Sequence, residues 1–110
     1  MAAIEQQLGQ IIRERVAARC CAARLGGEEF VVLLIDHPAE SVEGFVQRVR
    51  KEFADSTRDF GTGNGGVTVS AGVAHRLEAE NMSQHMRRAD VALYEAKASG
   101  RDRMVVAKAA

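Results

Sequence analysis

The stretch RLGGEEFVVLLID, Arg24 to Asp36, sets two glycines and two glutamates directly ahead of an unbroken apolar run. Phe30 to Ile35 is apolar throughout, which predicts a strand covered on both faces. Gly26 and Gly27 permit the positive backbone angles of a two-residue hairpin turn, so a short preceding strand over Ala22 to Leu25 is expected to fold back on it. The mouth of that hairpin then carries Glu28 and Glu29. Neighbouring acids repel, and an apolar setting raises the cost of their charge, so something at this site should answer it.

The rest of the chain supplies helices to cover the hairpin. Ile4, Leu8, Ile11, Ile12 and Val16 recur at helical spacing opposite Glu5, Gln6, Arg13 and Glu14, predicting an amphipathic helix to about Ala18. Asp36, His37 and Pro38 break the apolar strand. A second helix follows, with Val42, Phe45, Val46, Val49 and Phe53 as its apolar face. Asp55 to Gly66 is polar and holds four glycines, so it reads as a mobile surface loop. Val67, Val69, Ala71 and Val73 alternate with Thr68, Ser70 and Gly72, which is strand periodicity.

A third helix begins near Asn81, with Gln84 three positions on as a capping-box partner. Its expected buried stripe is Met82, Met86, Ala89, Leu93 and Ala96, and Gly100 is the stop signal. Met104 to Val106 makes a last short strand. The order helix, strand, strand, helix, strand, helix, strand contains no repeat or linker. It predicts one domain over residues 1–110, an α+β or α/β sandwich with helices packed on a sheet.

Composition removes several function classes. Lysine plus arginine number 15 and aspartate plus glutamate also 15, so the polyanion-binding surface of a nucleic-acid binder is not expected. No apolar run is long enough to cross a bilayer, and no export signal opens the chain. The two cysteines, Cys20 and Cys21, are adjacent and have no metal-ligand spacing around them. They are expected to be reduced thiols of a cytoplasmic protein. His37, His75 and His85 converge on no motif and are expected on surfaces or helix faces.

Two groups of residues carry chemistry. Successive strand residues face opposite ways, so one of Glu28 and Glu29 can line a cleft while the other meets a neighbouring element. A carboxylate beside bare glycine backbone suits a hard divalent cation, and Mg²⁺ commonly bridges such carboxylates to substrate phosphates. Gly26 and Gly27, without a Cβ, let a nucleotide approach the main chain. The second group is Lys97 and Arg101, at and just beyond the end of the third helix. Cations are favourable there in any protein. Paired with a metal-type carboxylate, they become clamps for triphosphate charge.

Three segments in order carry a resemblance: Arg24-Leu25-Gly26-Gly27-Glu28-Glu29-Phe30, then Val67-Thr68-Val69-Ser70-Ala71-Gly72-Val73, then Ala89 through Lys97 with Gly100-Arg101. Together they resemble the GGDEF family of diguanylate cyclases in its GGEEF variant, over Arg24 to Val106. The resemblance implies a nucleotidyl-cyclase, ferredoxin-like sandwich with helices on a mostly antiparallel sheet, incomplete at the N-terminus. It implies bacterial second-messenger signalling in which two facing domains each hold one GTP and together form cyclic di-GMP. Glu28 matches the family's metal ligand and proposed base, with Mg²⁺ or Mn²⁺ as the metal. Glu29 matches the second acid of the signature, Gly26 and Gly27 the turn against the nucleotide, and Lys97 and Arg101 phosphate contacts. Asp90 and Tyr94 fit the helix motif as structural residues. Implied partners are GTP or cyclic di-GMP, a second copy as a dimer or strand-exchanged oligomer, and a sensory or receiver domain in a longer protein.

Two departures shape the expectations. The family's first strand carries a metal-binding aspartate in a pattern like D-x-D-x-F-K, and the next helix carries guanine-reading residues; these 110 residues contain neither. The polypeptide alone is therefore expected to make no cyclic di-GMP. The alternative reading is a non-catalytic module that binds GTP or cyclic di-GMP, or one that only dimerises. Without the central strand, the GGEEF strand and the VTVSAGV strand are expected to pair directly, exchange between chains or oligomerise. In addition, Ala17-Ala18-Arg19-Cys20 stands where many members carry an inhibitory R-x-x-D, so that feedback site is expected to be lost.

Overall fold

In the computed structural model, described over residues 2–15, 20–26, 29–58 and 67–108, the elements follow the order read from the sequence. They are α1 (Ala2–Arg15), β1 (Cys20–Gly26), β2 (Glu29–Leu34), α2 (Ala39–Ser56), β3 (Ala71–Val73), α3 (Met82–Ala98) and β4 (Met104–Val106). The backbone divides into two compact units at Val67 and Thr68.

The first unit is an antiparallel hairpin with two helices. β1 pairs with β2 from Cys20↔Leu34 to Arg24↔Phe30 and again at Gly26↔Glu29, with a bulge between Arg24 and Gly26. An extra residue on one strand shifts register there. Gly26, expected in the turn, is therefore a strand residue. Gly27 and Glu28 lie outside the described residues. Along α1, Leu8, Ile11 and Ile12 are buried, as their helical spacing requires. A Cβ built on Gly9 would stand 3.4 Å from the Phe30 ring, so α1 lies close over β2. α1 also packs on α2, whose Phe45, Val49 and Phe53 are buried at spacings of four.

Two local expectations change in this unit. Phe30 to Leu34 are half-buried and Ile35 is exposed, so β2 is not the doubly covered strand its apolar run suggests. Among the described residues it pairs on one edge only, with β1. Asp55 and Ser56 belong to α2 rather than to a loop, and Thr57 caps the helix. The Thr57 hydroxyl is fully buried. It donates to the Phe53 carbonyl at 2.8 Å and accepts the Val67 amide at 2.7 Å, joining chain positions ten apart. The remainder of the expected loop, residues 59–66, lies outside the described residues.

The second unit is a β3–α3–β4 crossover. β3 and β4 pair in parallel, Ala71↔Met104 to Val73↔Val106, a connection that requires an intervening element such as α3. Only Ala71 to Val73 of the alternating run form a strand. Among the described residues β2 is bonded to β1 and β3 to β4.

The start of α3 is as its sequence specifies. Asn81 accepts from the Gln84 amide at 2.8 Å, and the Gln84 side chain accepts from the Asn81 amide at 3.0 Å, a complete capping box. The buried face keeps Ala89, Leu93 and Ala96 of the expected stripe but not its two methionines. Ala92 and Ala96 are buried, whereas Met82 and Met86 are exposed. The inward face runs through His85, Arg88, Ala89, Ala92, Leu93 and Ala96, the positions that are buried or half-buried. Gly72 fixes this rotation: a Cβ there would lie 2.3 Å from the Ala89 carbonyl oxygen and 2.3 Å from the Leu93 nitrogen. Only a strand without a side chain at that point lets the helix backbone come so near.

Candidate functional site

Of the two signature glutamates, Glu28 is the expected metal ligand and Glu29 the second acid. Glu29 opens β2, its Cα paired with that of Gly26 at the end of β1. Glu28 and Gly27 lie outside the described residues. Carboxylate oxygens are the right donors in kind for a hard cation. Among the described residues, no group of three or more His, Cys, Asp or Glu side chains gathers to hold one. The described part of the hairpin thus does not complete a metal site.

Lys97 and Arg101 belong to the other unit, where α3 ends. Lys97 is in the last turn and Ser99 is the C-cap. The Arg101 amide donates to the Ala96 carbonyl at 2.9 Å and the Gly100 amide reaches the Lys97 carbonyl at 3.5 Å. This is a Schellman ending, and Gly100 at φ +120° is the residue that permits it. The left-handed turn then continues: Arg101 has φ 62° and Asp102 φ 48°. For residues with a Cβ this conformation costs roughly 1–2 kcal/mol each, so it persists only because neighbouring contacts impose it.

Those contacts come from the segment leading into β3. The Asp102 amide donates to Ser70 Oγ at 3.1 Å, and the Ala71 amide donates to the Arg103 carbonyl at 2.9 Å. The Arg103 guanidinium folds back to donate to the Arg101 carbonyl at 3.0 Å. Lys97 and Arg101 therefore lie at either side of one tightly held turn of the main chain.

Opposite that turn along α3 is a polar clasp that the sequence reading missed. Glu80 is buried, and its Oε1 accepts the Leu77 amide at 3.0 Å. Arg88 Nη1 donates to both Glu80 oxygens at 3.1 Å and to the His75 carbonyl at 2.9 Å. Arg88 Nη2 reaches the Lys108 carbonyl at 3.0 Å. The Leu77 amide is the main cause holding the Glu80 carboxyl below its ordinary value of 4.5, with Arg88 adding to it and burial opposing. A shallow hollow of about 410 Å³ is lined by Leu77, Glu80, Gln84, Arg87 and Arg88 among others. Its buried acid is already answered by Arg88, so the clasp is structural. His85 has a comparable duty, its Nε2 standing 2.7 Å from the Ala74 carbonyl. The only sequence sign of this clasp was an acid and an arginine eight positions apart, which no helical spacing links.

A protein-family model described as "Diguanylate cyclase, GGDEF domain" matches residues 3–103. The chain belongs to the GGDEF family. It is 33% identical over 104 residues to Diguanylate cyclase A of Treponema denticola, covering 94% of this chain and 28% of that protein. It is 40% identical over 99 residues to diguanylate cyclase DgcP of Pseudomonas aeruginosa, covering 87% of this chain and 14% of that protein. This GGDEF domain thus spans a minor part of the curated relatives it matches. Among solved structures, the GGDEF domain of DgcB from Caulobacter crescentus in complex with c-di-GMP superposes with a TM-score of 0.85 at 32% identity, covering 94% of this chain and 63% of that one. The active GGEEF domain of a diguanylate cyclase from Vibrio cholerae superposes with a TM-score of 0.86 at 25% identity, covering 99% and 69%.

The fold class expected from the sequence is the observed one, the nucleotidyl-cyclase, ferredoxin-like fold. Diguanylate cyclases work with divalent metal ions as a family. Among the described residues no helix is long and apolar enough to cross a membrane.

Proposed function

We propose that this GGDEF domain holds one GTP and, facing a second copy, takes part in joining two GTP molecules into cyclic di-GMP in a bacterial cytoplasm. The 3′-hydroxyl oxygen of each GTP bonds to the α-phosphorus of the other. Each bond formed releases one pyrophosphate, so two leave for each cyclic product. Gly26 and Gly27 would let the nucleotide lie against the main chain, and Glu28 would hold Mg²⁺ or Mn²⁺, with Glu29 as the second acid of the signature. Lys97 and Arg101 would take the phosphates. A divalent cation bound there supplies charge neutralisation, the main demand of phosphoryl-type transfer.

The observation that carries this reading is the family match across residues 3–103, with the GGEEF signature and the paired cations Lys97 and Arg101 in their expected order. The resemblance assigns the opposing metal carboxylate to a motif these 110 residues do not contain. For that reason the polypeptide by itself is expected to bind GTP without turning it over. A sensory or receiver domain, and a dimeric or strand-exchanged state, belong to the same proposal.

Two measurements on the purified protein test it. Calorimetric titration with GTP and Mg²⁺ should show binding that Glu28→Ala or Lys97→Ala weakens. Incubation with GTP and Mg²⁺ or Mn²⁺, followed by chromatography, should show no cyclic di-GMP from these residues alone. Product formation would correct the half-site expectation, and absence of binding by both GTP and cyclic di-GMP would leave only a dimerisation module.

A further inference from the structure

We propose that the outward ridge of α3 is a self-association surface, on which a second copy of this chain packs antiparallel about a two-fold axis at Val91. The face of α3 away from its buried alanines carries Gln84, Arg87, Val91, Tyr94, Glu95 and Ala98, all exposed. They recur at steps of three and four, so they form one continuous stripe along the helix. The middle of the stripe is apolar, with Val91 62% and Tyr94 74% exposed.

The charges on this stripe select the occupant. Arg87 stands four residues before Val91 and Glu95 four residues after it. Within one helix they are separated by a rise of about 12 Å, too far to pair with each other. Among the described residues neither forms an ion pair. Antiparallel packing about a dyad at Val91 sets each Val91 against its counterpart and each Arg87 level with Glu95 of the second copy. Both pairs form at once, because a two-fold contact uses the same patch twice. Parallel packing would oppose Arg87 to Arg87 and Glu95 to Glu95, so the charges also fix the direction. The dyad sends the two C-terminal ends of α3, where Lys97 and Arg101 lie, to opposite ends of the pair. Two GTP molecules held there would not meet, so this contact needs no nucleotide and is distinct from the facing arrangement proposed above.

The test is sedimentation equilibrium of the whole chain over a concentration series, without nucleotide and at low salt. A monomer–dimer equilibrium is expected, weakened by added salt because its charges lie at the surface. Val91→Glu puts like charges together at the dyad and should leave only monomer. Arg87→Glu turns two attractions into two repulsions and should weaken the dimer about tenfold. Glu95→Arg should do the same, and the double exchange Arg87→Glu with Glu95→Arg should restore the dimer. All three positions are exposed, so circular dichroism should show the fold unchanged in each variant.

A chain that stays monomeric at every concentration overturns the surface, and leaves the ridge to a segment of a longer protein or to solvent. A dimer that survives Val91→Glu, or a double exchange that fails to restore it, overturns the antiparallel pairing. A dimer that forms only when GTP is added belongs to the facing arrangement; it overturns this inference while the proposed function stands.

Discussion

Gly72 lies so close to α3 that a Cβ added to it would meet the Ala89 carbonyl oxygen and the Leu93 nitrogen, each at 2.3 Å. Both obstacles are helix backbone and neither can swing aside, so helix and strand would have to separate. Gly72→Ala is expected to destabilise the domain by about 2–3 kcal/mol, the upper part of the usual range for overpacking. Urea unfolding with an unchanged denaturant dependence would measure it. A loss of only a few tenths of a kcal/mol would mean that α3 is not seated on β3 as described.

The Thr57 hydroxyl is buried with a donor and an acceptor satisfied at once, from Val67 and toward Phe53. Thr57→Val keeps the shape and removes the hydrogen bonds, leaving the Val67 amide without its partner. The expected cost is about 1–3 kcal/mol, the penalty for an unsatisfied buried group. Thr57→Ser should recover most of it. Equal stability of the valine variant, read from the same unfolding curves, would exclude the clasp.

Asn81 closes both halves of a capping box with Gln84. Asn81→Ala should cost about 1 kcal/mol, and Asn81→Asp should be nearly neutral or slightly stabilising, since a negative charge suits a helix N-terminus. Thermal unfolding followed by circular dichroism reads both. Indifference to the alanine would show that the first turn of α3 is held by packing alone.

Glu80 is held below its ordinary value of 4.5, chiefly by the Leu77 amide and then by Arg88. A carboxyl with a lowered folded-state value stabilises the protein above the unfolded value. That contribution disappears as pH falls below 4.5 through the lower folded value. Glu80→Gln should therefore melt below the unaltered protein at pH 7, and the gap should narrow steadily under acid. A gap of constant size from neutral pH to well below 4.5 would contradict the role given to the ionised carboxylate.

Much of this domain could be read in advance because its signals are local. The seven elements appear in the expected order, β4 has the expected bounds, and Gly100 ends α3 as a Schellman glycine. Each follows from a side-chain period, a cap or a missing Cβ, interactions that span a few residues. Of the candidate site, the main chain at Lys97 and Arg101 is the end of α3 that Gly100 announces. The stripe assigned to α3 was less legible. Ala96 is buried as expected, but Met82 and Met86, good core residues by type, are exposed, and the helix turns Ala92 inward because Gly72 admits its backbone there.

The sequence by itself determined the element order, the caps of α3 and the family, since all of these are written in short-range pattern. Tertiary structure alone decided that VTVSAGV shortens to the three strand residues of β3, that Arg88 reaches a buried Glu80, and that Ser70 holds Asp102. These depend on bonds between groups far apart along the chain, whose meeting is fixed by packing and not by any spacing in the residues themselves.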